Sequence, residues 1–154
     1  MTSDKLPQHA PQSAAAPKTI SGKLPWLPGT TPLMLAPMQG LTNRALRSLF
    51  TRWVRPDAVW TEFMRVNPVS EKKRLMPGDL KEISAAEDGI PLVVQLIGHG
   101  RDALVSAARA AQDAGAVHIN LNMGCPYGRM TSGLTGGGML KRPELLEEII
   151  PALR

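Results

Sequence analysis

The sequence predicts an α/β fold built on a parallel sheet. Three observations carry this. Short apolar runs of strand length recur along the chain, stretches long enough for a helix and its loops separate them, and several of those stretches carry helical periodicity. Such alternation implies right-handed crossovers, either in an open doubly wound sheet or in part of a (β/α)8 barrel.

The elements follow in order. Residues 1–28 are rich in Pro, Ala, Ser and Gln, lack Arg and show no sustained period. They are expected to form a disordered tail, because they cannot bury enough apolar surface to offset the entropy of ordering. Trp26 is expected to pack where the domain, residues 29–154, begins. The predicted strands are Leu33–Ala36, Ala58–Phe63, Leu92–Ile97 and Val117–Leu121. Between the first two, Leu46, Leu49, Phe50 and Trp53 fall on one helical stripe, with Thr42 as N-cap and Arg44, Arg47 and Arg52 off the stripe. The second crossover, Val66 to Ala86, is broken by Pro68, Pro77 and Gly78 and leaves room for a short helix around Lys72–Leu75. The third, Asp102 to Ala114, is alanine-rich and stops at Gly115, which suits a left-handed C-terminal cap. The fourth opens at Pro143 and runs through Leu145, Leu146, Ile149 and Ile150.

Composition narrows the function classes. With 154 residues, 43% hydrophobic and 20% charged, the chain has ordinary globular composition for a single domain. No apolar run approaches the roughly 20 residues needed to cross a bilayer, and the N-terminus lacks the hydrophobic core of a secretory signal, so the cytoplasm is the expected compartment. A single cysteine excludes an internal disulfide framework and a cysteine-rich zinc site; no metal is expected. The formal charge of +5 favours an acidic partner, nucleic acid ahead of a membrane surface.

In both architectures chemistry sits beyond the carboxyl ends of the strands. On the last predicted strand, period two places His118, Asn120 and Asn122 on one face and Ile119 and Leu121 on the other. For His118 a hydrogen-bonded structural patch is the preferred reading. For Asn122, beside the cysteine loop, a functional role is preferred. Cys125 stands between Gly124 and Pro126 on a constrained turn. A lone cysteine is usually a small buried hydrophobe, but a protonated thiol at this place suits a proton donor at least as well as a nucleophile. Gln95 ends the third predicted strand with an amide that can both donate and accept, a group suited to the edge of a heterocycle. The run Gly133–Lys141 lacks the Gly-Lys-Ser/Thr ending of a phosphate loop and reads instead as a mobile glycine loop or a plain connection. Lys72-Lys73-Arg74 and Lys141-Arg142 are small basic clusters that could touch phosphates.

Taken together, Ala36-Pro37-Met38-Gln39-Gly40-Leu41-Thr42, Thr61-Glu62-Phe63, Gln95-Leu96-Ile97-Gly98, Asn120-Leu121-Asn122-Met123-Gly124-Cys125-Pro126 and Gly136-Gly137-Gly138-Met139-Leu140 resemble the tRNA-dihydrouridine synthase family, from about residue 33 onward. The resemblance implies a (β/α)8 TIM barrel in which NADPH reduces bound FMN and the flavin passes a hydride to C6 of a tRNA uridine. It also implies roles by position: Cys125 as the general acid that protonates C5, Pro37 and Met38 against the isoalloxazine, Gln95 on the flavin ring, and Asn122 on the uracil. Two positions depart from the pattern, Tyr127-Gly128-Arg129 where a Lys is often found and Asn120 where an Asp is common.

A (β/α)8 domain takes roughly 250 residues, so these are expected to be the first four β/α units of a truncated barrel. An open half-barrel exposes strand edges and apolar interior, which pairing of two copies could cover. Two readings follow. In the first the chain is a fragment of the enzyme, with negligible activity alone. In the second it is a stand-alone, non-catalytic module that binds RNA or a protein partner.

Overall fold

In the computed structural model, residues 24–72, 74–83, 89–126 and 134–154 are described. The predicted tail lies outside them up to residue 23, as do Lys73 and the segment 127–133. Within the described part, Trp26 is half-buried beside a buried Pro25. The elements run β1 (Met34–Leu35), α1 (Arg44–Trp53), β2 (Ala58–Trp60), β3 (Met64–Arg65), α2 (Pro77–Lys81), β4 (Leu92–Ile97), α3 (Arg101–Asp113), β5 (His118–Leu121), a 3-10 helix (Gly136–Lys141) and α4 (Pro143–Ala152).

All strand pairs are parallel: β1 with β2, β2 with β4, β3 with β4, and β4 with β5. The predicted strand Ala58–Phe63 is divided. β2 meets β4 at Leu92 and Val93, and β3 meets the same strand further on at Leu96 and Ile97, so the two are successive pieces of one strand position. Across the gap the Thr61 hydroxyl accepts the Gln95 peptide N–H at 3.1 Å, in place of a main-chain carbonyl. The sheet is therefore laid down in chain order, β1, β2/β3, β4, β5, without the reversal that creates the crevice of a doubly wound sheet.

Alternation along the strands separates two faces. Val94 and Leu96 of β4, with Ile119 and Leu121 of β5, pack against Ala103, Leu104, Ala107 and Ala111 of α3 and Ile149 of α4. Leu35, Val59, Ile90 and the half-buried Phe50 form a smaller cluster beneath α1. The opposite face carries Val93, Gln95 and Ile97 of β4 beside His118 and Asn120 of β5.

Two helices form as their residues dictate. α3 ends at Ala114, and Gly115 follows at φ +104°, the left-handed cap expected there. α4 begins with Pro143 in its first turn.

α1 differs from its expected form in two ways. Its N-cap is Asn43, whose Oδ1 accepts the Leu46 N–H at 3.2 Å, while Thr42 is turned back onto Met38. Its buried residues are Arg47 and Thr51, whereas Leu49 is 52% and Trp53 74% exposed. This rotation seats the buried Arg47 guanidinium on the Thr42 carbonyl (2.9 Å), the Glu82 carboxylate (3.0 Å) and the Glu82 carbonyl (2.9 Å). A buried cation needs such partners, and in this orientation Arg47 finds them. The short helix expected around Lys72–Leu75 is instead α2 at Pro77–Lys81, starting on the proline that cannot sit in a helix interior.

Candidate active site

The loops at the carboxyl ends of the strands are tied to one another. After β1, the chain turns at Gly40 (φ +78°), where a side chain would be strained. Thr42 Oγ1 accepts the Met38 N–H at 2.8 Å, and the Gly40 N–H donates to the Glu62 carboxylate beyond β2 at 2.7 Å. Pro37 is half-buried on this loop and Met38 is 43% exposed. The residue after β4's end, Gly98, allows close approach: a Cβ there would lie 2.6 Å from the Val66 Cβ.

Three of the expected site residues meet directly. Asn122 Oδ1 accepts the N–H groups of Gly124 and Cys125, both at 3.1 Å, which folds the cysteine loop back over the end of β5. Its Nδ2 then faces Gln95 Oε1 at 2.9 Å and the Cys125 sulfur at 3.6 Å. Gln95, 8% exposed, uses Nε2 to donate to Asn120 Oδ1 at 2.8 Å. A continuous chain of amides thus runs Asn120, Gln95, Asn122 and ends on the thiol. Pro37 and Met38 stand at the same end of the sheet on a different loop, two strand positions from Gln95.

His118 shares the face of Asn120, half-buried, and burial holds its imidazole below the ordinary value of 6.5, which favours the neutral ring. Gly133 lies outside the described residues. The glycines that follow it lie in the 3-10 helix: the Gly137 N–H donates to the Cys125 carbonyl at 3.0 Å, and a Cβ on Gly137 would sit 3.3 Å from that oxygen. The 3-10 helix is therefore a buttress under the cysteine turn. It is joined from the other side by His99, whose Nδ1 lies 3.1 Å from Thr135 Oγ1.

His99 was not marked by the sequence, and Glu62 and Gly137 stood there only as members of quoted motifs without a role, since each acts through a loop contact that spacing does not reveal. Of the first basic cluster, Arg74 is 9% exposed and donates to the Asn67 carbonyl at 2.7 Å, so it holds a loop and is not available to phosphates. Lys72, Lys141 and Arg142 remain on the surface. A cavity of about 230 Å³ opens beside the β1 loop, lined by Gln39, Glu62, Phe63, Asp79 and Glu82 among others. Asp79 in it is raised above the ordinary 3.8, first by burial and then by Glu82 and Glu62, against a lowering hydrogen bond from the Met76 backbone. Among the described residues no group of three His, Cys, Asp or Glu is arranged to hold a metal ion, and no helix is long and apolar enough to cross a membrane.

Comparison with known proteins adds an independent line. A family described as dihydrouridine synthase (Dus) matches residues 34–154. A Pseudomonas putida protein named tRNA-dihydrouridine(16) synthase is 37% identical over 126 residues, covering 79% of this chain and 39% of its own length. Proteins of the same name from Neisseria meningitidis and Haemophilus influenzae are 35% and 37% identical over similar spans. The chain spans about two fifths of the length of these curated relatives.

Proposed function

The chain belongs to the dihydrouridine synthase family, and on that premise we propose that it contributes to the reduction of a tRNA uridine to 5,6-dihydrouridine. The observation that carries the proposal is the amide chain ending on Cys125 at the carboxyl end of the sheet. The unreversed parallel order supports reading the sheet as half of a (β/α)8 barrel, with this face toward the barrel axis.

The residues present fit an FMN. Gln95 uses one N–H and one oxygen lone pair within the protein, so a second N–H and a second lone pair remain for a heterocycle edge. Two strand spacings, about 10 Å, separate β1 from β4, which is the span of a fused three-ring system. Pro37 and Met38 would cover one end of such a ring and Gln95 would bond the other. When bound, the FMN, reduced by NADPH, supplies the hydride. Cys125, held by Asn122 and by the Gly137 N–H on its carbonyl, supplies the proton to C5. Asn122 has both lone pairs and both N–H groups of its amide engaged in the protein, so meeting a uracil would mean giving up one of these contacts, the 3.6 Å one to the Cys125 sulfur being the weakest.

The base would have to leave its stack to reach this face, which an arc open at the strand ends permits. Exposed basic residues such as Lys141 and Arg142, close to the site in the chain, suit a polyanionic partner. The cytoplasm is the compartment in which tRNA would be met. The relatives' names specify position 16, which makes that uridine the first to assay.

The test is to incubate the purified chain with FMN, desalt it, and record its visible spectrum and solution mass. Retained flavin in a species of two copies would mean that two sheets rebuild a site, and uridine reduction by that species, measured as dihydrouridine in digested tRNA, would then fall about 10²- to 10⁴-fold in Cys125→Ala with flavin still bound. No flavin and negligible uridine reduction is the outcome expected of a fragment of the enzyme. A chain that retains tRNA but no flavin would favour the non-catalytic RNA-binding module instead.

A further inference from the structure

We propose that Asn120 is a positioning residue for Cys125: acting through Gln95 and Asn122, it holds an N–H donor on the sulfur that must carry negative charge once its proton is given away. The catalytic meaning of this rests on the proposed function above; the geometry does not.

The direction of every amide in the chain is fixed by groups that cannot reverse. The peptide N–H groups of Gly124 and Cys125 can only donate, so the Asn122 atom facing them is oxygen. Its Nδ2 is thereby turned toward Gln95 and Cys125. Gln95 must meet that donor with Oε1, which leaves Nε2 on the far side, and Nε2 needs an acceptor. Asn120 Oδ1 is that acceptor, at 2.8 Å. With an apolar residue at position 120, the buried Nε2 loses its partner, and Gln95 can keep its oxygen on Asn122 only with a buried unsatisfied donor at its other end. The contact from Gln95 to Asn122, one of the two that hold Nδ2 beside the sulfur, is weakened by that cost.

The chemical consequence appears at proton transfer. The S–H bond breaks and a C5–H bond forms with the electron pair of the uracil C5=C6 double bond, while hydride from a reduced flavin forms the C6–H bond. The sulfur keeps the S–H pair as a thiolate. A donor directed at sulfur stabilises that form over the thiol. Asn120 touches neither base nor sulfur in this chain of contacts, so it positions and does not react.

Because Cys125 is the chain's single cysteine, the proposal is testable on the protein alone, without flavin or tRNA. The variants Asn120→Leu, Asn120→Ala and Asn120→Asp are alkylated with iodoacetamide from about pH 6 to 9, spanning the ordinary thiol range, and followed by intact mass. Circular dichroism checks their folding. Asn120 is half-buried on the face away from the helices, so its truncation to Ala leaves the main core untouched. We expect N120L and N120A to slow alkylation at neutral pH by roughly three- to tenfold, the worth of one modest hydrogen bond. N120D keeps the acceptor but adds a negative charge that itself opposes a thiolate, so it serves as the check that an acceptor at position 120 is compatible with folding and not as a rate control. A folded N120A with the parent's rate would overturn the proposal. Failure of the family reading would show elsewhere, as Cys125→Ala retaining uridine reduction.

Discussion

Asp79 shows how a single side chain sets a pH dependence. Its folded-state value is raised above 3.8, chiefly by burial, so the folded protein holds this proton more tightly than the unfolded chain does. Stability from this group is therefore present below 3.8 and is lost as pH rises through the raised value, leaving an ionised carboxylate at a cost at neutral pH. Asp79→Asn is expected to raise the melting temperature at pH 7, by under about 1 kcal/mol of stability because the group is partly exposed and screened. The gain should fade as the pH approaches 3.8, and thermal melts across that range would check it. At the same scale, Asn122 and Cys125 were legible as candidates from their place just beyond a strand's carboxyl end and Gln95 from its amide within β4, and the structure brings the three into contact. The partnership of Asn120 with Gln95 was not, since cross-strand register is a property of two strands and appears in neither alone.

Among the elements, the fit between β3 and β4 depends on Gly98. A methyl group there would meet the Val66 Cβ at 2.6 Å, closer than packed atoms tolerate, and that neighbour is the base of its side chain and not a flexible tip. Gly98→Ala is expected to cost about 1–3 kcal/mol by overpacking, read from urea unfolding. Val66→Ala, which keeps the offending Cβ, should fail to restore it. Elements whose form depends on local signals were readable: β4, α3 with its Gly115 cap, and α4 with its opening proline. α1 was readable as a helix but not in its rotation, because Glu82, the partner that Arg47 finds in it, stands 35 residues away. The division of the second strand was hidden for a similar reason. Thr61 reads as an ordinary β-branched strand residue until its hydroxyl is seen to serve the neighbouring strand.

For the molecule as a whole, the sequence supported both a doubly wound sheet and part of a barrel from its alternation, and the unreversed strand order is compatible with the barrel half. The sheet and its helices leave large apolar side chains exposed near both ends: Leu33, Met34, Leu49 and Trp53 on the β1 and α1 side, Val117 and Ile150 on the β5 and α4 side. Surface of that kind drives association in water. The isolated chain is expected to show a solution mass well above 16.6 kDa by light scattering, and Leu49→Glu with Trp53→Glu should lower it. An unchanged mass in that double variant would assign the association to another surface. The unreversed strand order also bears on how the protein is made. During synthesis, each strand leaves the ribosome after the strand it will pair with, and the helix between them emerges in the interval. The sheet can therefore grow one unit at a time from its first strand, with the most recently emerged strand always serving as the template for the next.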